Sequence, residues 1–204
     1  MQVLQIFVKH PIAGQTKTRL AAGIGHPKAL EAYRRLLQQM KDIALSLPTS
    51  IEVEIWYGNQ VPQSDLWSES PFPRYLQSGK DLGERMRRSI QAAMERGAAQ
   101  VILVGSDVPY VSAEILLEAF ETLSEAEIVL GPSEDGGYYL VGMTRLHPEI
   151  FQGMTWSVED VLDVTKQRLA ETGTSWKEVE TLHDLDTVED LAGTFLEGII
   201  EEDL

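Results

Sequence analysis

Short apolar runs alternate with longer amphipathic segments along this chain. The runs predict β-strands over residues 3–8, 51–55, 101–104, 128–130, 138–142 and 176–182. Apolar positions at helical spacing predict helices over residues 29–47, 82–96, 114–123, 158–171 and 187–197. Such alternation is typical of an α/β protein with a largely parallel sheet. Residues 131–156 interrupt the rhythm, so we expect a mixed sheet there.

Two strands differ in their polar pattern. Residues 101–104 are uniformly apolar, which predicts a strand buried on both faces. Residues 51–55 alternate apolar side chains with Glu52 and Glu54, which predicts a half-exposed strand. The buried strand ends at Ser106 and Asp107, and ligands of open α/β sheets lie beyond such carboxyl ends. Asp107 is therefore a candidate metal ligand, although an Asp before a Pro-containing turn also serves to bond its own backbone.

Composition narrows the class of protein. The chain has 204 residues and 43% hydrophobic content, which suits one domain over residues 1–204. It contains no cysteine, so disulfides and thiolate zinc sites are excluded. We find no signal peptide and no apolar stretch of membrane-spanning length, and we predict a cytoplasmic protein without a membrane partner.

The net charge of −15 is unevenly distributed. Residues 1–35 carry six Lys or Arg against one acidic residue, and the remainder is strongly acidic. An acidic surface repels a polyphosphate backbone, so we expect no nucleic-acid partner. The basic region suits a small anion such as a mononucleotide, and we interpret Lys28, Arg34 and Arg35 within it as ordinary solvated charges.

The loop after the first strand carries most of these cations. It includes Lys9, Gly14, Lys17, Thr18 and Arg19, and backbone amides with Lys and Arg in such a loop can hold phosphates. The spacing does not match a Walker A motif. Phosphate binding and a merely basic surface loop remain equal alternatives at this point.

Two other acidic segments are candidates. Asp135 precedes Gly136 and Gly137, which is the signature of a hairpin turn but also lets the backbone approach a ligand closely. Asp184 and Asp186 lie two residues apart and point to the same side if the chain is extended there. Metal binding by this pair competes with helix capping, for which Thr187 is the better candidate.

Two features are weaker signals. Gly83 is costly in the first turn of a helix, so we expect another group to pack close to it. Aromatic residues concentrate in the segment 56–75, where an acceptor pocket, an interface and core packing are alternatives, with core packing the default.

Five motifs in one order support a resemblance. They are Lys-x-Pro-x-x-Gly-x-x-Lys-Thr-Arg-Leu from residue 9, Asp-Leu-Gly-Glu-Arg-Met from 81, Gly-Ser-Asp-x-Pro from 105, Gly-Pro-x-Glu-Asp-Gly-Gly-Tyr-Tyr-Leu-x-Gly from 131, and Asp-x-Asp-Thr-x-Glu-Asp-Leu from 184. Over residues 3–192 the chain resembles the small bacterial glycosyltransferase-like proteins of the nucleotide-diphospho-sugar transferase superfamily, some of them linked to arsenosugar biosynthesis. It is also similar to the guanylyltransferase that activates phospholactate in deazaflavin-cofactor biosynthesis.

The resemblance implies a three-layer α/β/α sandwich of the type A glycosyltransferase kind, with a mostly parallel mixed sheet and bound Mg²⁺ or Mn²⁺. The implied nucleotide-binding residues are Lys9, Gly14, Lys17, Thr18, Arg19, Gly83, Ser106, Gly136 and Gly137. The implied metal ligands are Asp107, Asp135 and Asp186, and the implied catalytic residues are Asp135, Lys17 and Arg19. The chain departs from the usual pattern because Asp107 stands alone rather than in an Asp-x-Asp pair.

The sequence therefore predicts a metal-dependent transferase that uses a nucleotide-activated donor, first of all a glycosyltransferase acting on a small-molecule acceptor. A nucleotidyltransferase that joins an NTP to a phosphorylated small molecule and releases pyrophosphate is the alternative. A non-catalytic nucleotide-binding protein is the third hypothesis. The base, the sugar, the acceptor and the oligomeric state stay open.

Overall fold

Seven strands form one twisted sheet in a computed structural model that describes residues 1–156 and 158–202. The strands are Gln2–Val8 (β1), Ile51–Tyr57 (β2), Arg74–Leu76 (β3), Gln100–Gly105 (β4), Ile128–Pro132 (β5), Tyr138–Met143 (β6) and Trp176–Glu178 (β7). Their order is β3-β2-β1-β4-β6-β5-β7, and β6 runs antiparallel to both its neighbours. The mostly parallel mixed sheet is confirmed, with the irregularity in the predicted segment.

Five α-helices cover the two faces of this sheet. They are Thr18–Ile24 (α1), His26–Ser46 (α2), Leu82–Glu95 (α3), Ala113–Thr122 (α4) and Val161–Thr172 (α5). Within β4, Ile102 and Val104 join the core cluster that contains α2 and α4, whereas Val101 and Leu103 join the cluster that contains α3 and α5. Because successive strand side chains point to opposite faces, an unbroken apolar run is what a central strand of a three-layer sandwich needs.

The strand β2 is not half-exposed as its alternation predicts. Glu54 is 3% exposed, and its carboxylate accepts hydrogen bonds from Gln5, Trp56 and Arg96. A buried carboxylate is tolerated when it is fully hydrogen-bonded and paired with a cation. The polar residue therefore marks a buried network and not a solvent-facing position.

The predicted helix over residues 187–197 is also wrong. The structure has two short 3-10 helices there, Glu189–Leu191 and Glu197–Ile200. The Asp190 carboxylate accepts from the backbone N–H groups of Asp186 and Thr187, and Val188 lies at the N-cap of Glu189–Leu191 without a side-chain hydrogen bond, so Thr187 does not cap a helix there. Gly193, with a φ of 74°, then turns the chain.

Smaller differences concern element boundaries. The short elements α1 and β3 are absent from the prediction, β7 ends earlier than predicted, and α5 begins at Val161 instead of residue 158. Among the described residues, no helix is long and apolar enough to cross a bilayer. The predicted single domain over residues 1–204 includes residues 157, 203 and 204, which lie outside the described part.

Candidate functional site

A cleft of about 600 Å³ opens at the carboxyl ends of β1 and β4. These strands are neighbours in the sheet, but the chain continues from β1 to β2 on one side and from β4 to β5 on the other. Crevices for ligands form at such a change of direction, because the loops that follow the two strands diverge. The cleft therefore lies where the fold favours ligand binding.

Lys17 lies at the centre of the charged part of the cleft. It has φ 50° and ψ 49°, the left-handed conformation, which among the described non-glycine residues occurs here alone. Its side chain is 4% exposed, and its Nζ lies 3.3 Å from Asp107 Oδ2 and 3.6 Å from Asp186 Oδ1. Nζ also donates to the carbonyl oxygen of Leu185. The ammonium group is therefore held by one hydrogen bond to the backbone and by ion pairs with two carboxylates.

The acidic residues of the cleft come from three separate segments. Asp107 follows β4, Asp135 lies in the turn between β5 and β6, and Asp184 and Asp186 lie on the segment after β7. The backbone N–H of Leu185 donates to the Asp107 carbonyl at 3.0 Å, which ties two of these segments together. The predicted proximity of these acidic residues is thus a tertiary arrangement.

Asp184 is a partly buried carboxyl with a raised pKa. Burial, and then the charges of Asp135, Asp107 and Asp186, raise its pKa to about 6, while Lys17 opposes the shift. Like charges that share a site disfavour further ionisation, and a bound cation relieves that repulsion. Sequence reasoning considered Asp184 but selected Asp186, because spacing alone does not show which of the two is more buried.

The acidic residues fit a divalent metal ion only in part. Among the described residues, no three His, Cys, Asp or Glu side chains converge as a ready metal site, so Asp107, Asp135 and Asp186 do not form a preformed set of three ligands. Mg²⁺ usually takes one or two protein carboxylates, with substrate phosphates and water completing its shell. The carboxylates of this cleft fit that second kind of site.

The cation-bearing loop is fastened to the loop after β4 by a buried tyrosine. Tyr33 of α2 accepts a hydrogen bond from the Lys9 backbone N–H at 2.9 Å, and its hydroxyl lies 3.1 Å from Ser106 Oγ. Burial and the nearby Asp107 raise the pKa of Tyr33. Sequence reasoning missed this residue, because its helical spacing marks it equally well as an ordinary core position.

The cations differ in how free they are to meet a ligand. The Arg19 side chain is 74% exposed and contacts Asp186 Oδ2 at 3.2 Å. Lys9, Lys17, Thr18 and Arg19 all line the cleft, whereas the Lys17 ammonium is already surrounded by protein oxygens. Arg19 and Lys9 are thus exposed cations of the cleft, whereas the Lys17 ammonium is already paired with Asp107 and Asp186.

The four predicted glycines have different surroundings. Of these four glycines, Gly137 is among the described residues that line the cleft, whereas Gly14, Gly83 and Gly136 are not. Gly136 has a φ of 86°, and a Cβ there would lie 1.8 Å from the carbonyl oxygen of Glu159. The N–H of Gly137 donates to Asp135 Oδ1 at 2.9 Å. At Gly136 the glycine is thus needed because the backbone of Glu159 lies close, and at Gly137 the contact is a hydrogen bond within the turn. Both observations favour the structural interpretation of this turn over close approach to a ligand.

An apolar half completes the cleft opposite the charges. Leu82, Met86, Tyr138, Trp156 and Val158 line it, and the rings of Tyr138 and Trp156 meet edge to face at 6.3 Å. Leu82 and Val158 remain 43% and 40% exposed. Exposed apolar side chains inside a cleft favour a ligand with an apolar part.

One sequence signal pointed to this half. A Cβ on Gly83 would lie 2.5 Å from Trp156 Cζ2 and 2.6 Å from the Phe151 carbonyl oxygen, so the expected close packing at Gly83 is confirmed.

The aromatic residues of the segment 56–75 do not line the cleft. Trp56, Tyr57 and Trp67 are buried, which favours core packing. Other residues of the lining that the prediction lacks are Gly58, Gln77 and Arg85.

Solved structures share this fold. A protein of Desulfovibrio desulfuricans G20, provisionally named a nucleotide-diphospho-sugar transferase, is 28% identical with a TM-score of 0.86, over 98% of this chain and 94% of that one. The inositol-1-phosphate CTP transferase from T. maritima is 14% identical with a TM-score of 0.61, over 100% and 98%. Rv0371c from Mycobacterium tuberculosis H37Rv, in complex with manganese, is 15% identical with a TM-score of 0.55 over the whole of both chains.

These similarities confirm the nucleotide-diphospho-sugar transferase fold, and the neighbours include transferases of both sugar and nucleotidyl kinds. Comparison with curated proteins gives no match. The family described as "Uncharacterized protein conserved in bacteria (DUF2064)" matches residues 37–158, which is more than half of the chain. The chain belongs to this bacterial family.

Proposed function

We propose that this protein is a metal-dependent glycosyltransferase that uses a nucleotide-activated sugar and a small acceptor. The observation that carries the proposal is the buried Lys17 ammonium between Asp107 and Asp186, at the carboxyl ends of β1 and β4. Carboxylates that would hold a metal ion here lie beside the exposed cation Arg19, which would contact phosphate, and this supports the proposal. The provisional name of the Desulfovibrio protein supports the same reaction class.

The charged half would bind the nucleotide diphosphate. Asp107, with Asp184 or Asp135 as a second ligand, would hold Mg²⁺ or Mn²⁺, which supplies charge neutralisation of the diphosphate leaving group. Lys9 from the loop after β1 and Arg19 from the first turn of α1 would donate to phosphate oxygens, and Ser106 and Thr18 offer hydroxyl donors in the same cleft. The manganese complex of Rv0371c supports the choice of metal.

Lys17 and Asp135 have more specific roles. Lys17 holds Asp107 and Asp186 in place, so that the charges in the cleft are oriented before substrate arrives. Asp135 uses Oδ1 to accept from Gly137, which leaves Oδ2 to take the proton of an attacking hydroxyl. The acceptor then lies in the apolar half, against Leu82 and Trp156.

Thermal unfolding with UDP, GDP and CDP sugars tests the proposal, with Mn²⁺ and with EDTA. We expect at least one nucleotide sugar to raise the melting temperature in a metal-dependent manner. Asp107→Asn should abolish the metal-dependent part of the shift, whereas Asp42→Asn, an exposed change on α2, should keep it. Absence of a shift from every nucleotide, or an unchanged metal response in Asp107→Asn, contradicts the proposal.

Nucleotidyl transfer is a second candidate, favoured by the three cations Lys9, Lys17 and Arg19 between β1 and the first turn of α1, since an NTP carries more charge than a nucleotide sugar. A phosphorylated acceptor would then attack the α-phosphate, and pyrophosphate would leave. The fold neighbour from T. maritima and the resemblance to phospholactate guanylyltransferase agree with it. Pyrophosphate release from one of the four NTPs would replace the glycosyl proposal, and a nucleotide-dependent shift without any turnover would favour the non-catalytic hypothesis.

A further inference from the structure

Arg85 is a cation of the cleft to which the proposed reaction gives no role. It lies three residues after Leu82 in the first turn of α3 and lines the cleft. Its Nη1 lies 3.4 Å from the carbonyl oxygen of Gly58, and its Nε lies 3.5 Å from that of Gly79. Both distances exceed the usual range of an N–H···O hydrogen bond, and both acceptors are uncharged. The described part of the chain shows no ion pair for this guanidinium and no acceptor for its Nη2.

Two other arginines show how the fold otherwise uses such a group. Arg88, on the same helix, pairs with Glu84. Arg168 donates to three backbone carbonyl oxygens at distances of 2.6–3.3 Å. Arg85 has neither arrangement, although the protein carries a net charge of −15. A partly exposed guanidinium in a cleft favours an anionic ligand, because its planar donors bind both oxygens of a carboxylate or phosphate side by side.

The Arg85 guanidinium lies on the opposite side of β1 from Asp107 and Asp135. Gly58 directly follows β2, so the contact with its carbonyl oxygen places the guanidinium at the end of β2. Asp107 follows β4, and Asp135 lies in the turn between β5 and β6, whereas β1 separates β2 from β4 in the sheet. Neighbouring strands lie about 4.8 Å apart, so the ends of β2 and β4 are roughly 10 Å apart. An anionic group at Arg85 is thus kept at a distance from these two carboxylates.

Accessible apolar side chains lie in the same cleft. Leu82 and Arg85 are three residues apart on α3, so their side chains share one face of the helix. Leu82 is 43% exposed, Val158 is 40% exposed, and Trp156 is partly exposed. All of them line the cleft, so their outer surface is available to a ligand. A cation beside accessible apolar surface suits a molecule that carries both an anionic group and an apolar body.

We propose that Arg85 binds an anionic group of the acceptor, and that the acceptor is therefore a small organic acid or phosphate ester with an apolar body. The carboxylate or phosphate accepts hydrogen bonds from the guanidinium, and the body packs against Leu82 and Val158. This specificity rests on the proposed function, which places the acceptor beside Leu82. Arg19 and Lys9 would contact the donor phosphates, so donor and acceptor are held by cations from different elements.

Calorimetric titration of the full chain, in EDTA and without nucleotide, tests this subsite. The probes are 3-phenylpropionate, 3-phenylpropyl phosphate and 3-phenylpropanol, which share one apolar body and differ in the group at its end. The first two distinguish a carboxylate from a phosphate ligand, and the alcohol is uncharged. We expect the better anionic probe to bind about tenfold more tightly than the alcohol, since a hydrogen bond between charged partners contributes on that order.

Variants of Arg85 locate the anionic group. Arg85→Gln should weaken the anionic probes about tenfold and leave binding of the alcohol unchanged, which also shows that the variant is folded. Arg85→Lys should keep part of the affinity, because an ammonium group retains the charge without the paired donors. Arg87→Gln is the matched control and should leave all the probes unchanged, because Arg87 lies on the same helix, donates to Gln91 and does not line the cleft.

Leu82→Ala separates the apolar contact from the charge. It should weaken the two anionic probes and the alcohol by the same factor, about three- to fivefold, because all of them lose the same apolar surface. A charge effect on the anionic probes alone, together with an apolar effect on every probe, is a pattern that general disruption of α3 does not produce.

Four results would overturn the inference. Neither anionic probe binds more tightly than the alcohol, or Arg85→Gln leaves the anionic probes unchanged, or Arg19→Gln abolishes their binding while Arg85→Gln keeps it. The fourth is loss of the thermal shift by nucleotide sugar in Arg85→Gln, which assigns Arg85 to the donor. Failure of the nucleotide panel in the parent protein is a separate outcome. It removes the transferase proposal, whereas probe binding that depends on Arg85 still demonstrates the anion subsite.

Discussion

The two halves of the cleft are built in different ways. The charged half is made of polar residues in the segments that follow strands, and the Lys17 ammonium lies 3.3 Å from an Asp107 oxygen and 3.6 Å from an Asp186 oxygen. The apolar half is made of Leu82, Trp156 and other residues that resemble core positions. Charged residues of a site can therefore be recognised in the sequence. The apolar residues that shape the same site cannot, because they look like ordinary core positions.

The largest effect is expected from removing the Asp107 carboxylate, on which the proposed chemistry of the charged half depends. Asp107→Asn should lower kcat with nucleotide sugar and acceptor by about a hundredfold or more, because oriented charge at a leaving group is worth several kcal/mol. Initial-rate kinetics check this outcome. A variant with more than a tenth of the parent's kcat would show that Asp107 has no part in the chemistry.

Asp184 tests the electrostatics inside the charged half. Its pKa is near 3.9 in an unfolded chain and about 6 in the fold, so the unfolded state loses this proton first as the pH rises. The carboxyl therefore costs stability progressively between about pH 4 and 6, and fully above that window. Asp184→Asn should stabilise the protein by about 2–3 kcal/mol at pH 7.5 and hardly at all at pH 3.5.

Urea unfolding over this pH range, with EDTA present, measures the effect of Asp184→Asn. The exposed Asp42→Asn serves as the control and should show no such pH dependence. A stability difference that does not grow with pH, or that has the opposite sign, would show that the carboxyl is not held by burial and neighbouring charges.

Gly83 tests the apolar half. In an open helix, Gly83→Ala would stabilise by about 1 kcal/mol, but here the new Cβ would meet Trp156 and the Phe151 carbonyl at 2.5–2.6 Å. Overpacking of this kind costs about 1–3 kcal/mol, so we expect a net loss of about 1–2 kcal/mol in unfolding experiments. Gly198→Ala, where a Cβ would have open space, is the control and should be nearly neutral.

The smallest expected effect concerns Leu82, which is 43% exposed at the edge of the apolar half. Leu82→Ala removes apolar contact with the acceptor and should raise the acceptor KM about three- to fivefold, with kcat unchanged. Steady-state kinetics with varied acceptor separate the two constants. If kcat falls as much as in Asp107→Asn, the apolar half takes part in the chemical step and does not serve acceptor binding alone.

The fold followed from local pattern to a large extent. Unbroken apolar runs and helical spacing identified β1, β4, α2 and α3, because these elements bury one or both faces against a layer that any α/β sandwich supplies. The pattern failed at β2, where Glu54 is buried in a hydrogen-bonded network, and over residues 187–197, where Asp190 bonds the backbone. In both segments side-chain hydrogen bonds, which the spacing of apolar residues does not show, accompany the departure from the predicted structure.

The candidate site followed only in part. Lys9, Lys17, Arg19, Ser106 and Asp107 line the cleft as the motifs led us to expect, but their roles stay predictions. The roles of the glycines could not be predicted, because a glycine indicates close packing but does not identify the neighbouring group. At Gly136 that neighbour is Glu159, and at Gly83 it is Trp156. Tyr33 carried no signal, because a tyrosine on a buried helix face is indistinguishable from core packing.

The layered α/β architecture and the cations and carboxylates beyond strand ends could be inferred from the amino-acid order, because hydrophobic period and chain direction are local properties. The folded chain was needed to show that Lys17, in a left-handed conformation, forms ion pairs with both Asp107 and Asp186, and that the pKa of Asp184 is raised. Charge interactions and burial depend on distances between segments far apart in the chain, which only the folded arrangement of strands and loops sets.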